Sequence, residues 1–179
     1  MTYGVLLVDP PWLFRTRGVQ GTRHASNHYD VMRIDDICKL QVPADDNCAM
    51  FLWATWPNLM DAFRLIEAWN FTYRTIAWVW VKKNKKADSY FTGLGYYTRS
   101  NTEPCLLAVR GRMKVQDRGV QSLIVSRIRA HSQKPDEQYE KIQRLYPEAK
   151  KLEMFARQKQ EGWHSWSNEI ESDVRICSR

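Results

Sequence analysis

One apolar strand and the four residues that follow it constrain the fold of this chain most. Residues 3–8 form a short, almost wholly apolar run, which is typical of a strand buried on both faces in a sheet with helices on each side. Asp9-Pro10-Pro11-Trp12 follows directly. Ligands of open α/β sheets bind beyond the carboxyl ends of the strands, so we expect these four residues to lie at the functional site.

The segment from Asp9 to Trp12 predicts a stiff hook. Pro10 lacks an N–H group and has a fixed φ, and Pro11 pushes Pro10 towards extended backbone. The Asp9 carboxylate and the Pro10 carbonyl would then be two outward-facing acceptors, which suit an exocyclic amine with two N–H groups, while an aromatic ring stacks beside it. The alternative is that the prolines only end the strand and that Trp12 belongs to the core.

The hydrophobic periodicity along the chain predicts a single doubly wound α/β domain with helices on both faces of its sheet. We assign residues 1–170 to this domain and residues 171–179 to a C-terminal tail. Strands are predicted at residues 3–8, 48–54, 71–81, 104–109, 122–125, 151–156 and 163–167, and helices at 34–40, from Pro57 to about Trp69, and after Pro135 to about Tyr146.

The charge balance favours a polyanionic partner such as nucleic acid. Lys and Arg number 27 against 20 Asp and Glu, a net charge of +7, and such an excess attracts polyanions. Two long basic loops, 13–33 and 82–102, mix cations with aromatic and glycine residues, which suits phosphate contact and base stacking. The alternative is that both loops are merely solvated. The predicted nucleic-acid-binding residues are Arg15, Arg17, Arg23, His28, Tyr29, Lys83, Lys85, Lys86, Tyr96, Tyr97 and Arg99.

The cysteines and the apolar runs argue against other classes of protein. The four cysteines show no paired spacing, so we expect neither a metal site nor a disulfide framework, as is usual in a reducing cytoplasm. The chain begins in a strand without a basic-then-apolar leader, and its apolar runs are too short to span a membrane. We therefore expect a cytoplasmic protein without a membrane partner.

An ordered series of motifs resembles the DPPW-type, S-adenosylmethionine-dependent adenine N6-methyltransferases, the messenger-RNA adenosine methyltransferase-like family. The likeness covers roughly residues 3–169, and a minimal bacterial or phage DNA-type member is the nearest description. The motifs come in the family's order, with the catalytic motif first and the cofactor segment last. They are Asp9-Pro10-Pro11-Trp12, His28-Tyr29, Phe51-Leu52-Trp53, Trp78 to Lys82, Glu103 to Leu106, Ser132 to Glu137, Glu153 to Arg157 and Trp166 to Glu169.

The resemblance implies a Rossmann-like sheet of about seven strands in a permuted motif order, and it implies roles for individual residues. Asp9 and the Pro10 carbonyl would bind the adenine amine, while Pro11 and Trp12 shape the base pocket. S-adenosylmethionine is the implied cofactor. Its implied binding residues are Asp9, Lys134, Glu153, Phe155, Arg157, Asn168 and Glu169.

One departure from the family pattern stands out in the sequence. The messenger-RNA enzymes carry a His-Asn pair after the arginine that matches Arg157, whereas Gln158-Lys159 follows here, so the contact with the methionine end of the cofactor is not assigned. A Gly-x-Gly-x-x-Gly loop is also missing, as the permuted layout would lead one to expect. As separate alternatives, Arg157 would be a surface ion pair and Glu169 a solvated residue.

The resemblance implies a site-specific adenine methyltransferase acting on DNA. The basic loops, or a second subunit, would supply selectivity, and a homodimer is expected because related bacterial enzymes often dimerise. Three alternatives stay open: an RNA adenine N6-methyltransferase, a non-catalytic nucleic-acid-binding partner subunit, and a methyltransferase for a small amine or a protein side chain. The minimal length favours DNA over RNA, and the intact Asp9 to Trp12 motif favours an active enzyme.

Overall fold

A computed structural model of the chain describes residues 1–12, 32–95, 97–130 and 132–178. Three α-helices and seven strands lie in these ranges, together with a 3-10 turn at Trp56–Asn58. In chain order the elements are β1 (Tyr3–Val8), α1 (Ile34–Cys38), β2 (Ala44–Trp53), α2 (Leu59–Ala68), β3 (Thr72–Lys83), β4 (Thr102–Arg110), β5 (Leu123–Arg127), α3 (Glu137–Leu145), β6 (Lys151–Met154) and β7 (His164–Trp166).

The strands form one mixed sheet in the order β5-β3-β4-β2-β1-β6-β7. β1 lies inside the sheet and pairs in parallel with β2 and β6. β4 runs antiparallel to both of its neighbours, β2 and β3, whereas the other pairings are parallel. The start of β4 therefore lies at the same edge as the ends of the other strands, which we call the carboxyl edge.

Alternate residues of the central strands fill two cores, one on each face of the sheet. On one face, Leu6 and Leu52 pack with α1 and α2 through Ile37 and Leu65. On the opposite face, Leu7, Phe51 and Trp78 pack with α3. Because side chains alternate along a strand, the near-continuous apolar runs of β1 and β2 supply both cores at once. The expectation of helices on both faces is confirmed.

The structure corrects several predicted boundaries. β3 extends to Lys83, so Lys82 and Lys83 belong to a strand rather than to the start of a loop. Pro57 lies in the 3-10 turn, and α2 begins only at Leu59. The described residues between β3 and β4 form no helix, and the two strands pair antiparallel, as a connection without a crossover allows. No helix in the described ranges is long and apolar enough to cross a membrane.

The C-terminal segment is fastened to the domain. The Asp173 carboxylate accepts hydrogen bonds from the backbone N–H and the hydroxyl of Ser165, both at 2.8 Å. The Cys177 carbonyl accepts the N–H of Gln41, at 2.9 Å. Val174 and Ile176 pack against the core that contains α1 and α2. These contacts hold the segment that the sequence predicts as a tail.

Candidate active site

A cavity of about 360 Å³ opens at the carboxyl edge, beyond the ends of β1, β2 and β6. Its size falls within the range of small-molecule sites. Six of the seven residues predicted to bind a cofactor line it: Asp9, Lys134, Glu153, Phe155, Arg157 and Glu169. Asn168 adjoins Glu169 but is not part of the lining, and seven further lining residues are Leu7, Trp53, Ala130, Gln133, Gln138, Tyr139 and Gln158.

The hook after β1 is more buried than the sequence suggests. Pro10 is buried, and its carbonyl already accepts the N–H of Trp12 at 2.8 Å. Since a carbonyl oxygen has two lone pairs, one remains for a ligand. Trp12 is only 6% exposed, and its indole N–H donates to the Trp53 carbonyl at 3.0 Å. The Trp12 ring therefore anchors the hook in the core and does not offer a face for stacking.

Lys134 contacts the Asp9 carboxylate across this cavity. Its ammonium lies 2.9 Å from both carboxylate oxygens of Asp9 and 3.5 Å from Oε2 of Glu103. Both oxygens of Glu103 are used, because Oε1 pairs with Lys82. Burial by itself lowers the pKa of Lys134, but the carboxylates of Asp9 and Glu103 outweigh it and raise the pKa to about 12. The lysine is therefore charged at any physiological pH.

Glu103 stays ionised in spite of its burial. Burial raises the pKa of its carboxyl, but the ammonium groups of Lys134 and Lys82 outweigh burial and hold the pKa below its usual range. Glu103 reaches the carboxyl edge because it is the second residue of the antiparallel strand β4. The sequence motif that contains it gives no hint of these two partners, since they lie 21 and 31 residues away along the chain.

Arg129 fixes the backbone that carries Lys134. Its guanidinium donates to both carboxylate oxygens of Asp136, at 2.5 and 2.7 Å, and to the carbonyl of Lys134 at 2.7 Å. Such a bidentate pair has a defined geometry. Arg129 thus holds the turn before α3 in the conformation that directs the lysine towards Asp9.

Glu153 and Tyr139 form a second polar group in the cavity. The Tyr139 hydroxyl lies 3.0 and 3.2 Å from the two carboxylate oxygens of Glu153. Burial raises the pKa of Glu153 to about 7, and the nearby charges of Asp9 and Asp136 also raise it, although the hydrogen bond from Tyr139 opposes them. Burial and Glu153 likewise raise the pKa of Tyr139, so this hydroxyl stays a donor.

Trp53, at the end of β2, connects the two polar groups. Its indole N–H donates to the side-chain carbonyl of Gln138 at 2.7 Å. The Lys134 ammonium lies 5.5 Å from the centre of its ring, within the range of a cation–π contact. The sequence predicts a buried strand and a family motif at Trp53 but assigns it no role, so its contact with the cation was not foreseen.

The lining fits S-adenosylmethionine by the chemistry of its side chains. Lys134 and Arg157 are cations suited to a carboxylate, and Glu169 is an acceptor suited to a ribose diol. Phe155 supplies an apolar ring, held edge-on against Trp166 with ring centres 5.1 Å apart. Its backbone has a φ of +62°, which is rare for a residue with a side chain. Among the described residues, no group of His, Cys, Asp and Glu side chains could hold a metal ion.

The predicted nucleic-acid-binding residues are only partly described by the structure. Lys85, Lys86, Tyr97 and Arg99 are exposed after the end of β3. Lys83 pairs with the Asp88 carboxylate at 2.5 Å. Six others lie outside the described residues: Arg15, Arg17, Arg23, His28, Tyr29 and Tyr96.

The segment between β3 and β4 is braced by hydrogen bonds. The N–H of Phe91 donates to the Lys82 carbonyl at 2.8 Å, and the N–H of Gly93 donates to the Ser100 carbonyl at 2.9 Å. Arg127 donates to the carbonyls of Asn84 and Lys85. The exposed cations are thus presented from a hydrogen-bonded turn beside the carboxyl edge.

Comparison with known proteins identifies the family. Residues 3–169 match the family model MT-A70. The chain is 29% identical to the type II methyltransferase M.MunI of a Mycoplasma species, over 94% of this chain and 78% of that protein. It is 32% identical to an N(6)-adenosine-methyltransferase MT-A70-like protein of Arabidopsis thaliana, over 99% of this chain and 25% of that protein.

The human N(6)-adenosine-methyltransferase catalytic subunit METTL3 is 29% identical, over 94% of this chain. The chain spans 28% of the length of that subunit, so the likeness concerns one portion of it. The match to the family model nevertheless runs from β1 to Glu169, which lines the cavity. The chain therefore belongs to the MT-A70 family of S-adenosylmethionine-dependent N6-adenine methyltransferases.

Proposed function

We propose that this chain transfers a methyl group from S-adenosylmethionine to the exocyclic N6 amine of adenine in DNA. The observation that carries the proposal is the position of the Asp9 carboxylate at the end of β1. It lines the same cavity as Lys134, Phe155 and Glu169, so an acceptor for an amine adjoins groups suited to the cofactor.

The chemical task of the protein side chains is to activate a weak nucleophile. The lone pair of the adenine amine is delocalised into the ring, and bound S-adenosylmethionine supplies an activated methyl group. Asp9 and the remaining lone pair of the Pro10 carbonyl accept the two N–H groups. This localises the nitrogen lone pair and stabilises the positive charge that develops on it. The sulfur leaves as a neutral thioether, and the methylated nitrogen then loses its extra proton to water. Alignment of the two reactants contributes on the order of 7–11 kcal/mol.

Charge favours a nucleic acid as the substrate, and the match to the type II methyltransferase favours DNA. The net charge is +7, and exposed Lys85, Lys86 and Arg99 lie beside the carboxyl edge. The chain spans 78% of the type II methyltransferase but only about a quarter of the adenosine-methyltransferases. In a duplex the amine is paired, so the base has to be flipped out at a cost of a few kcal/mol. We also propose that the protein forms a homodimer and that it acts in the cytoplasm of a bacterial or phage-infected cell.

The test is transfer of labelled methyl from S-adenosylmethionine to DNA and RNA oligonucleotides, each with and without adenine. We expect labelling that depends on adenine and is greater for DNA. The Asp9→Asn variant keeps the shape of the side chain but removes its charge, and we expect at least about a 100-fold loss of turnover, as when one preorganised stabilising group is removed. Circular dichroism of the same variant verifies that its fold is intact.

The other outcomes separate the alternatives. Adenine-dependent labelling of RNA but not DNA would show that the substrate is RNA and that the reaction is the one proposed. Cofactor binding without labelling of either polymer would indicate a partner subunit. Labelling of oligonucleotides that lack adenine, or full activity of Asp9→Asn, would refute the proposed chemistry.

A further inference from the structure

Lys82 is largely buried, although it begins the most basic run of the sequence. It is the last residue but one of β3, and its side chain is only 13% exposed. Its ammonium pairs with Oε1 of Glu103 and lies 5.0 Å from the centre of the Trp80 ring. The neighbouring Lys83 points the other way and pairs with Asp88, whose side chain is 79% exposed. Lys82 is therefore directed into the carboxyl edge rather than towards a phosphate backbone.

Lys82 is the outer end of a chain of alternating charges that ends at Asp9. Glu103 contacts Lys82 through Oε1 and Lys134 through Oε2, and Lys134 contacts both oxygens of Asp9. The distances are unequal, because Lys134 lies 2.9 Å from Asp9 and 3.5 Å from Glu103. The Lys134 ammonium therefore lies closer to Asp9 than to Glu103, and Glu103 has Lys82 as a second cation.

We propose that Lys82 is a positioning residue for the methyl-transfer site, acting through Glu103 on Lys134 and so on Asp9. This inference rests on the proposed function. Without Lys82, the Glu103 carboxylate would be left with Lys134 as its cation. Attraction between opposite charges is strong in the protein interior. Glu103 would then draw the ammonium away from Asp9 and change the direction in which the Asp9 oxygens face the amine.

The Lys82→Met variant tests this, because it keeps the apolar stem and removes the charge. We expect kcat to fall about tenfold, within the range of coupling found for residues that share one ion-pair network. The KM for DNA and its salt dependence should not change. Lys82→Arg should keep most of the turnover. Adding Glu103→Gln to Lys82→Met should restore kcat, because a neutral amide no longer competes for Lys134.

Lys39→Met is the matched control. It removes the same charge from an ion pair with Asp36 in which both side chains are about half exposed, and it lies at the end of α1 away from the cavity. We expect its kcat and KM to equal those of the wild type. Should Lys82→Met fail to fold, the double variant and Lys82→Arg carry the comparison, since each leaves no unpaired carboxylate.

Two results would overturn the proposal. In one, Lys82→Met leaves kcat unchanged; a raised KM for DNA with a flatter salt dependence would then make Lys82 a phosphate contact. In the other, adding Glu103→Gln to Lys82→Met does not restore kcat. A wild type that transfers no methyl group at all would refute the proposed function instead. Calorimetry then decides the role of Lys82: non-additive losses of cofactor affinity in Lys82→Met and Lys134→Met support it, and additive losses contradict it.

Discussion

Lys134 and Asp9 are 125 residues apart in the chain, and the ammonium of one lies 2.9 Å from both carboxylate oxygens of the other. The pair joins the end of β1 to the turn before α3, and Arg129 holds that turn through Asp136. Both side chains are largely buried. The contact therefore connects the stability of the fold with the geometry of the proposed catalytic carboxylate.

We expect Lys134→Met to destabilise the fold by roughly 3–5 kcal/mol, because it leaves the Asp9 and Glu103 carboxylates in a buried position with one cation fewer. Urea unfolding measures the loss. Lys39→Met, in an exposed pair, should cost less than about 1 kcal/mol. Equal losses in the two variants would show that the buried network contributes no more than a surface pair.

We expect Glu153 to make the fold less stable as the pH rises from about 5 to 8. Its pKa is raised from 4.5 to about 7, so the native state holds a proton that the unfolded chain releases. The stabilisation is complete below pH 4.5 and is lost through pH 7, an effect of roughly 3 kcal/mol.

Unfolding of Glu153→Gln across the same pH range measures this effect, since the variant should lack that part of the slope. Glu67→Gln, on the exposed face of α2, should keep the slope of the wild type. A Glu153→Gln profile parallel to the wild type would show that the carboxyl titrates at its ordinary pKa.

We expect Gly93→Ala to weaken nucleic-acid binding without weakening cofactor binding. A Cβ atom at Gly93 would lie 2.5 Å from the Ser100 carbonyl oxygen, so the turn that presents Arg99 would have to open. Gly4→Ala is the control, because its Cβ would be 3.4 Å from the Cβ of Ala149, an ordinary contact. Fluorescence anisotropy and calorimetry measure the two affinities, and a parallel loss of both would contradict the prediction.

We expect the double variant Lys85→Gln/Lys86→Gln to reduce the slope of log affinity against log salt by about 1.8 on duplex DNA, because each phosphate neutralised contributes about 0.9. Lys114→Gln/Lys150→Gln removes two exposed charges outside the segment between β3 and β4 and should leave the slope unchanged. Equal reductions would show that the field of the whole protein, rather than this segment, binds the DNA.

The strands of the sheet could be predicted from the sequence because each has a recognisable local residue pattern. β1 and the buried part of β2 are apolar runs, and β3 is rich in aromatic and β-branched residues, so each segment reports its burial locally. Six of the cavity-lining residues were also placed in the site, through the family's ordered motifs. Local pattern and motif order were sufficient for these features.

Contacts across long stretches of chain could not be predicted in the same way. The sequence placed Lys82 at the start of a basic loop suited to phosphate contact, because its partner Glu103 becomes its neighbour only through the antiparallel pairing of β3 and β4. Trp12 was expected to shape the base pocket, with a place in the core as the alternative, and its indole N–H bonds the Trp53 carbonyl, 41 residues away. In both cases a tertiary hydrogen bond or ion pair decides where a side chain points.

The interior position of β1 has a consequence for how the protein is made. One edge of β1 pairs with β2, which follows within fifty residues, but the other pairs with Lys151–Met154 in β6. During synthesis from the N-terminus, that second edge stays open until β6 has left the ribosome. Pairings over such separations form slowly and leave apolar surface exposed meanwhile. The strand that carries the proposed catalytic carboxylate is thus made well before the strand that completes its pairing.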